Sequence, residues 1–599
     1  MPSSHKKDKN RKKRNGRHDH DHDHDHDHDH DHDHDHHHNG NNGNNGNNKI
    51  YDFIIVGLGT SGAVFARKAS DPTTGSNGKS QFRNNVLVIE AGENHDHDPV
   101  VLDPDAGPAN LNGRLITFDP EYAFSWSSLT LDRTLAITVT AGRGWGGSSM
   151  HNYMLAIRGT PPIYNFWSNF AGDIRWAYNH LLPLMKAIER YTPFGTPINT
   201  AQRGTNGPLD IIQLTGPLTS DPFLRNVALT GPASVGFTPD YNDPSKGHIG
   251  VGQTQRYNTP LPNRQRSFSS RAWIDSVVDD QGNGLNGRKL KIVSDAFANR
   301  VLFENNKAVG VEYLIGGDPA KIVHVFGKQI ILAAGAINTP AILQRSGIGD
   351  PMLLSSLNIP VIVANPNVGA NLQNHYGARI VIGGGPMSVP TALIFTDLSG
   401  AVGSPYPSDG VRRFLYIASN LPPGPTGVST GIQFTPFITD PASRGNVEIV
   451  SQNPVTPPRI NIPAFNDGPI TTIGTDLNKI ITSFKVAAQW AQQTGRPMIA
   501  PLQSAFPAPY GPAPDDSLLI AYARANLVFQ SHQVGTTRMA RSIADGVVDG
   551  RLSVFGVTNL KIIDIGVEPK TTDGNTAWGA YIIGLAAAEI FGIDVSSAL

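Results

Sequence analysis

The chain contains no cysteine. Disulfide staples, thiol nucleophiles and thiolate metal ligands are therefore excluded, and the absence fits a reducing compartment. Long hydrophobic runs are missing too: no stretch approaches the roughly 20 apolar residues that a bilayer-spanning helix needs. The basic N-terminus is not followed by an apolar segment. A standard secretory leader is thus not expected, and a cytoplasmic location is. An excess of one charge is also lacking. With 49 basic and 50 acidic residues the formal net charge is −1, which points to no nucleic-acid partner for the chain as a whole. What remains is 599 residues, 39% of them hydrophobic, enough for two or more cored domains.

Residues 1–48 stand apart. Lys6 to Arg17 is strongly basic, His18 to His38 alternates His with Asp, and Gly40 to Asn48 is rich in Asn and Gly. Such a segment cannot bury enough apolar surface to offset the entropy of ordering, so a solvated, disordered tail is expected. Two sharper readings stay open. Imidazole and carboxylate suit transition-metal ions, so any metal binding is expected in the tail and none in the body. The basic stretch could touch nucleic acid.

The body opens with an apolar run, Phe53-Ile54-Ile55-Val56, followed by Gly57-Leu58-Gly59-Thr60-Ser61-Gly62 and a helix-like stretch, Ala63 to Ala69. This is strand, glycine turn, helix. Gly57 permits the turn, Gly59 lets backbone approach a pyrophosphate, and Gly62 lets helix and strand pack closely. Thr60 and Ser61 open the helix, whose free N–H groups attract phosphate. A second strand, Val86 to Ile89, ends in Glu90, a candidate acceptor for ribose hydroxyls. Glu90 lies 28 residues past Gly62, beyond the roughly 20 expected, and the polar stretch Asp71 to Asn85 reads as a longer surface loop.

A second glycine-rich segment runs Gly142-Arg143-Gly144-Trp145-Gly146-Gly147-Ser148-Ser149-Met150-His151-Asn152-Tyr153. Its glycines allow close approach to a flat ligand, and Ser149 and Asn152 can satisfy polar ring atoms. Further on, short strands are expected at Leu290–Val293, Arg300–Phe303, Val309–Leu314, Ile322–Phe326 and Gln329–Ala334, the last entering a helix at Gly335. Residues 156–225 read as helix and loop. Residues 376–515 alternate in short runs that suit an antiparallel sheet, with a helix over Asp476–Thr494. A strand at Leu560–Asp564 and a helix at Thr576–Phe591 return to α/β character. Taken alone, His532 reads as a core or surface histidine, and Asn575 as an N-cap of the last helix.

Together these segments resemble the glucose-methanol-choline (GMC) family of flavin oxidoreductases. The anchors are the fingerprint with Glu90-Ala91-Gly92, Gly142 to Asn152 with Arg158-Gly159, and Gly335 to Pro340 with Ser346-Gly347-Ile348-Gly349. Asn367-Val368-Gly369 with Asn371-Leu372-Gln373, His532 to Thr536, Val547-Val548-Asp549, Asn559-Leu560 with Asp564, and Gly574-Asn575-Thr576 complete them, in family order. The pattern looks most like the aryl-alcohol oxidase and choline-type branches.

The resemblance implies an α/β, Rossmann-like FAD-binding domain (49–375, with inserted segments of the substrate domain, and 516–599) and an α+β substrate domain (376–515) whose antiparallel sheet roofs the flavin. It implies FAD at Gly57, Gly59, Thr60, Ser61, Gly62, Glu90, Gly142, Gly147, Ser149, His151, Asn152, Ala298, Asp564, Asn575 and Thr576. It makes His532 the base that deprotonates an alcohol while hydride passes to flavin N5, with Asn575 as its partner. Oxygen, reduced to hydrogen peroxide, or another acceptor then takes the electrons. His151-Asn152 matches relatives whose histidine is joined covalently to the flavin. A homodimer is compatible with this picture. Two alternatives remain: a structural, virion-associated or packaging protein on the same fold, and a lyase in which flavin is bound but idle.

Overall fold

The computed structural model describes residues 49–74, 80–104, 116–130, 136–195, 197–214, 216, 218–400, 403–424, 427, 429–499, 502–505 and 516–597. The N-terminal tail, with its expected metal and nucleic-acid roles, lies outside the described residues.

The first layer is a seven-stranded sheet built on consecutive apolar residues. Ile54, Ile55 and Val56 are buried on both faces, as parallel strands between helices must be. Strand Ile50–Val56 pairs in parallel with Val86–Ile89 on one side and with Ile322–Leu332 on the other. Leu290–Val293 extends the sheet beyond Val86–Ile89, and Leu560–Ile562 pairs in parallel with Ile330 to Leu332. The hairpin of Ala296–Glu304 and Lys307–Ile315 adds an antiparallel wing. Helix Thr60–Ser70 packs on the sheet and against the last helix, Ala577–Ile590, where Ser61 Oγ donates to the carbonyl of Ala580 at 2.7 Å. That last helix is buried nearly all round, which fits its Ala- and Ile-rich sequence.

A six-stranded sheet forms the second layer, in the order Ile380–Gly383, Gly431–Ile438, Phe414–Asn420, Thr391–Thr396, Gly250–Gln253, Phe237–Thr238. One face packs on helix Asp476–Gln493, with Tyr416 set edge-on to Trp490 and donating its hydroxyl to the carbonyl of Ser483. On the opposite face, Leu393, Phe395, Leu415 and Phe437 cluster with Leu155 and Ile157, the segment that follows the second glycine loop. The two-layer α/β fold expected from the sequence is the one observed.

Several expectations need correction. Ile322–Phe326 and Gln329–Ala334 are one strand, Ile322–Leu332. Gly327 inside it is no turn: it pairs with Tyr51, and a side chain there would meet Ile54 at 2.9 Å. The second sheet takes two strands from 237–253, a stretch within 49–375 of the kind expected to be inserted there. Conversely, Asn446–Glu448 and Arg459–Ile462 leave that range to join Ala123–Thr130 and Ala136–Gly142 in a four-stranded sheet. Residues 156–225 hold two strands besides helices, Glu189–Thr192 and Leu209–Gln213. Within the loop Asp71 to Asn85, Thr73–Thr74 pairs with Ser80–Gln81. Sequence adjacency carries little information about such distant partners.

One buried ion network ties these pieces together. Glu189 accepts from the guanidinium groups of Arg158 and Arg203, and Arg203 also donates to Asp240 at 2.7 Å. All three charged side chains of the Arg158–Glu189–Arg203 group are shut off from solvent. Substituting Glu189→Ala should leave buried Arg158 without a carboxylate and Arg203 with Asp240 alone, and lower folding stability by about 3–5 kcal/mol, read as a fall in the thermal unfolding midpoint. A midpoint equal to wild type would show that the network does not contribute.

Candidate active site

The site begins with two glycine loops pressed together. Gly62 packs under the first turn, where a Cβ would sit 2.2 Å from the carbonyl oxygen of Gly57. Gly147 has φ +52°, and a Cβ there would come within 2.8 Å of Gly59 Cα. Only glycine allows this approach. The loops are locked by Glu90. Its carboxylate accepts the backbone N–H groups of Leu58 at 2.7 Å, Gly92 at 3.0 Å and Gly144 at 3.2 Å. Burial raises its pKa, while those N–H groups oppose the shift.

These loops border a cavity of about 420 Å³. Gly57, Gly59, Thr60, Ser61, Glu90, Gly142, Gly147, Ser149, His151, Asn152, Ala298, Asp564, Asn575 and Thr576 all line it, as does His532. Of the expected residues, only Gly62 does not, and its role is packing. Asp564 accepts Gly335 N–H at 2.9 Å, at the start of helix Gly335–Arg345, together with Thr339 Oγ1 and Gly566 N–H. Ser149 Oγ is spent on Gly146 and Ser269, and Asn152 Oδ1 on Met154 N–H and Arg266. These side chains shape the wall more than the sequence suggests. Tyr153 lines the cavity with its ring largely exposed, whereas Trp578 is fully buried among Tyr257 and Tyr581 and belongs to the core.

Does the cavity fit a flavin dinucleotide? The glycine loop and the N-terminus of Thr60–Ser70 present backbone to a pyrophosphate. Near the second loop, His151 is buried and neither ring nitrogen has a partner among the described residues. Burial, with Arg266 adding to it, lowers its pKa to about 4. A buried imidazole with two unsatisfied nitrogens is costly unless something else meets it. The residues present fit the group.

The opposite wall carries the polar chemistry. Asn575 Nδ2 lies 3.2 Å from His532 Nε2, and His532 Nδ1 lies 2.9 Å from His375 Nδ1. Asn575 is therefore no N-cap: that place belongs to Thr576, which makes no side-chain capping bond. The Asn575 Oδ1 atom is buried without a partner. Asn374 Oδ1 accepts the backbone N–H of His532 at 3.0 Å. Sequence reading passed over Asn374 and His375, although they follow the quoted Asn371-Leu372-Gln373. Only the position next to that motif could have flagged them. Phe437 stacks on His375 and stands edge-on to His532. Burial lowers the pKa of His532 to about 4, and among the described residues no carboxylate offsets it.

Two family models described as GMC oxidoreductase match this chain, at residues 51–377 and 441–584. An alcohol dehydrogenase [acceptor] of Pseudomonas putida is 27% identical, the match covering 90% of this chain and 95% of the relative. An oxygen-dependent choline dehydrogenase of Pseudomonas fluorescens is 28% identical over 88% of this chain and 90% of the relative. Among solved structures, pyridoxine 4-oxidase from Mesorbium loti superposes with a TM-score of 0.71 at 24% identity, covering 90% of this chain and 99% of that one. A fungal aryl-alcohol oxidase gives 0.72 at 22% identity, with 90% and 98% covered. These likenesses show the fold.

The lowered pKa of His532 has a consequence for stability. In the unfolded chain its imidazole protonates near 6.5, whereas the folded site keeps it neutral down to about 4. The unfolded state therefore binds the proton first, and stability should fall as pH drops from about 6.5 towards 4, by up to about 3 kcal/mol from this group. Denaturant unfolding of wild type and His532→Gln across this range checks it. An identical pH slope in both would refute the assignment.

Proposed function

The chain belongs to the GMC oxidoreductase family, and from that premise we propose how it performs its chemistry. It is an FAD-dependent oxidoreductase acting on alcohols. One observation supports the assignment of roles: His532 Nε2 and Asn575 Nδ2, 3.2 Å apart, share the wall of the cavity bordered by the dinucleotide fingerprint.

FAD bound there supplies the acceptor for the α-hydrogen of the alcohol, as hydride, and the route by which the electrons reach oxygen, giving hydrogen peroxide, or another acceptor. The protein does the rest. Gly57, Gly59 and the start of helix Thr60–Ser70 hold the pyrophosphate, and the backbone near Ala298 borders the end of the cavity next to Glu90. His532, neutral at physiological pH, takes the hydroxyl proton on Nε2. Asn575 donates Nδ2–H to the oxygen as negative charge grows, and so holds the alcohol in register. The apolar sheet face around Leu415 and Phe437 limits water beside His532. His151 is the residue we assign to a covalent bond with the flavin.

No helix among the described residues is long and apolar enough to cross a membrane. The packaging alternative rests on the tail and gains nothing from the site.

His532→Ala should retain flavin yet slow its anaerobic reduction by alcohol at least about 10²-fold, followed by bleaching of the visible spectrum. Wild-type rates in that variant remove His532 from the chemistry, and a flavin that no aryl or aliphatic alcohol bleaches favours the idle-flavin reading. Acid precipitation should leave yellow colour in the pellet of wild type and in the supernatant of His151→Ala. Complete release from wild type rules out the covalent bond.

A further inference from the structure

His375 does not line the cavity, yet its surroundings decide which nitrogen of His532 is free to act. Thr571 Oγ1 is 3.3 Å from Nε2 of His375, and its own proton is directed at the carbonyl of Thr572, 3.4 Å away. A hydroxyl whose proton is committed can only accept from the ring. Nδ1 of His375 is already committed to His532, at 2.9 Å. The proton of a neutral His375 therefore sits on Nε2, and Nδ1 is left bare. A bare Nδ1 must accept, so His532 carries its own proton on Nδ1. The lone pair of His532 is then at Nε2, beside Asn575 and facing the cavity. The orientation of Asn575 agrees, since its Nδ2 is the atom turned to that lone pair.

We propose that His375 is a positioning residue: a neutral imidazole that accepts the Nδ1–H of His532 and thereby fixes the base lone pair at Nε2. The inference rests on the reading of His532 as base. In a Ser-His-Asp triad a carboxylate performs this orientation and also stabilises the imidazolium. Here the first effect is present without the second. Among the described residues no carboxylate, lysine or arginine contributes at the His532 ring, which meets His375, Asn575 and Phe437. Burial, and His532 itself, hold the pKa of His375 well below the ordinary value. The proton taken from the alcohol arrives on Nε2 of His532, the nitrogen that faces the cavity. The Thr571 hydroxyl, held by the carbonyl of Thr572, sets the tautomer of the base through one intervening ring.

Three variants of the flavin-loaded enzyme, His375→Ala, His375→Gln and His375→Asp, test this by anaerobic flavin reduction across pH. His375→Ala should slow reduction about 10²-fold with little change in KM, because orientation and not binding is lost. The side-chain oxygen of His375→Gln can accept the same N–H and should restore most of the rate. His375→Asp should move the acid limb of the profile up by about one pH unit or more, since an anion now faces the His532 imidazolium. A wild-type rate in His375→Ala, or an acid limb unmoved in His375→Asp, overturns the proposal. Nitrogen-15 shifts of wild-type His532 give an answer even if a variant misfolds: a proton on Nδ1 supports it and one on Nε2 overturns it. If His532→Ala also reduces at the wild-type rate, the base reading itself has failed. If only the His375 variants are silent, this inference alone has failed.

Discussion

The site hangs on one buried carboxylate. Glu90 gathers three loops that are far apart in sequence by accepting N–H groups from Leu58, Gly92 and Gly144. A buried charge without partners would be driven neutral, but each N–H directed at it favours the ionised form. The arrangement is mutually dependent. The loops need an acceptor because no strand or helix satisfies these amides, and the acceptor needs the loops because it has no cation. The close contact of Gly147 with Gly59 follows from this clamp.

The second layer extends the same logic. The strands carrying Leu393, Phe395, Leu415 and Phe437 turn an apolar face towards the His532 wall. His532 is half-buried against this face, and with no carboxylate among the described residues to offset it, desolvation keeps the imidazole neutral. A base of low pKa has a small driving force for taking a proton but is in its active form across a wide pH range. The alkoxide charge must then be met by dipoles, and Asn575 supplies one.

Local features were legible in the sequence. The strand, glycine turn and helix at Phe53 to Ala69 satisfy steric rules within a few residues, and His532 and Asn575 stood within motifs of the resemblance. Features that depend on distant partners were not. Glu90 reads as a ribose acceptor, yet its oxygens also serve the backbone of Gly144, 54 residues away. His375 meets His532 across 157 residues, and the motif it follows does not announce that partner. Gly327 falls between two runs that read as separate strands, but its pairing with Tyr51 keeps the chain extended through both. The strands Phe237–Thr238 and Gly250–Gln253 are too short and glycine-rich to show a pattern. Their existence depends on the sheet that receives them.

The parallel pairing of Leu332 with Ile562 also sets a timetable. The first strand, Ile50–Val56, pairs with Val86–Ile89 and then with Ile322–Leu332, but the outer edge of Ile330 to Leu332 stays open until the residues around 560 have been made. At about 5–20 residues per second, synthesis leaves that edge waiting for roughly ten to fifty seconds. The last helix, Ala577–Ile590, which covers Ser61 and follows Asn575, comes later still. During this interval an apolar helix face and an unpaired strand edge are exposed on the nascent chain. Cofactor capture is therefore an event of chain completion, because Asn575 and the helix that backs Ser61 are among the last residues made.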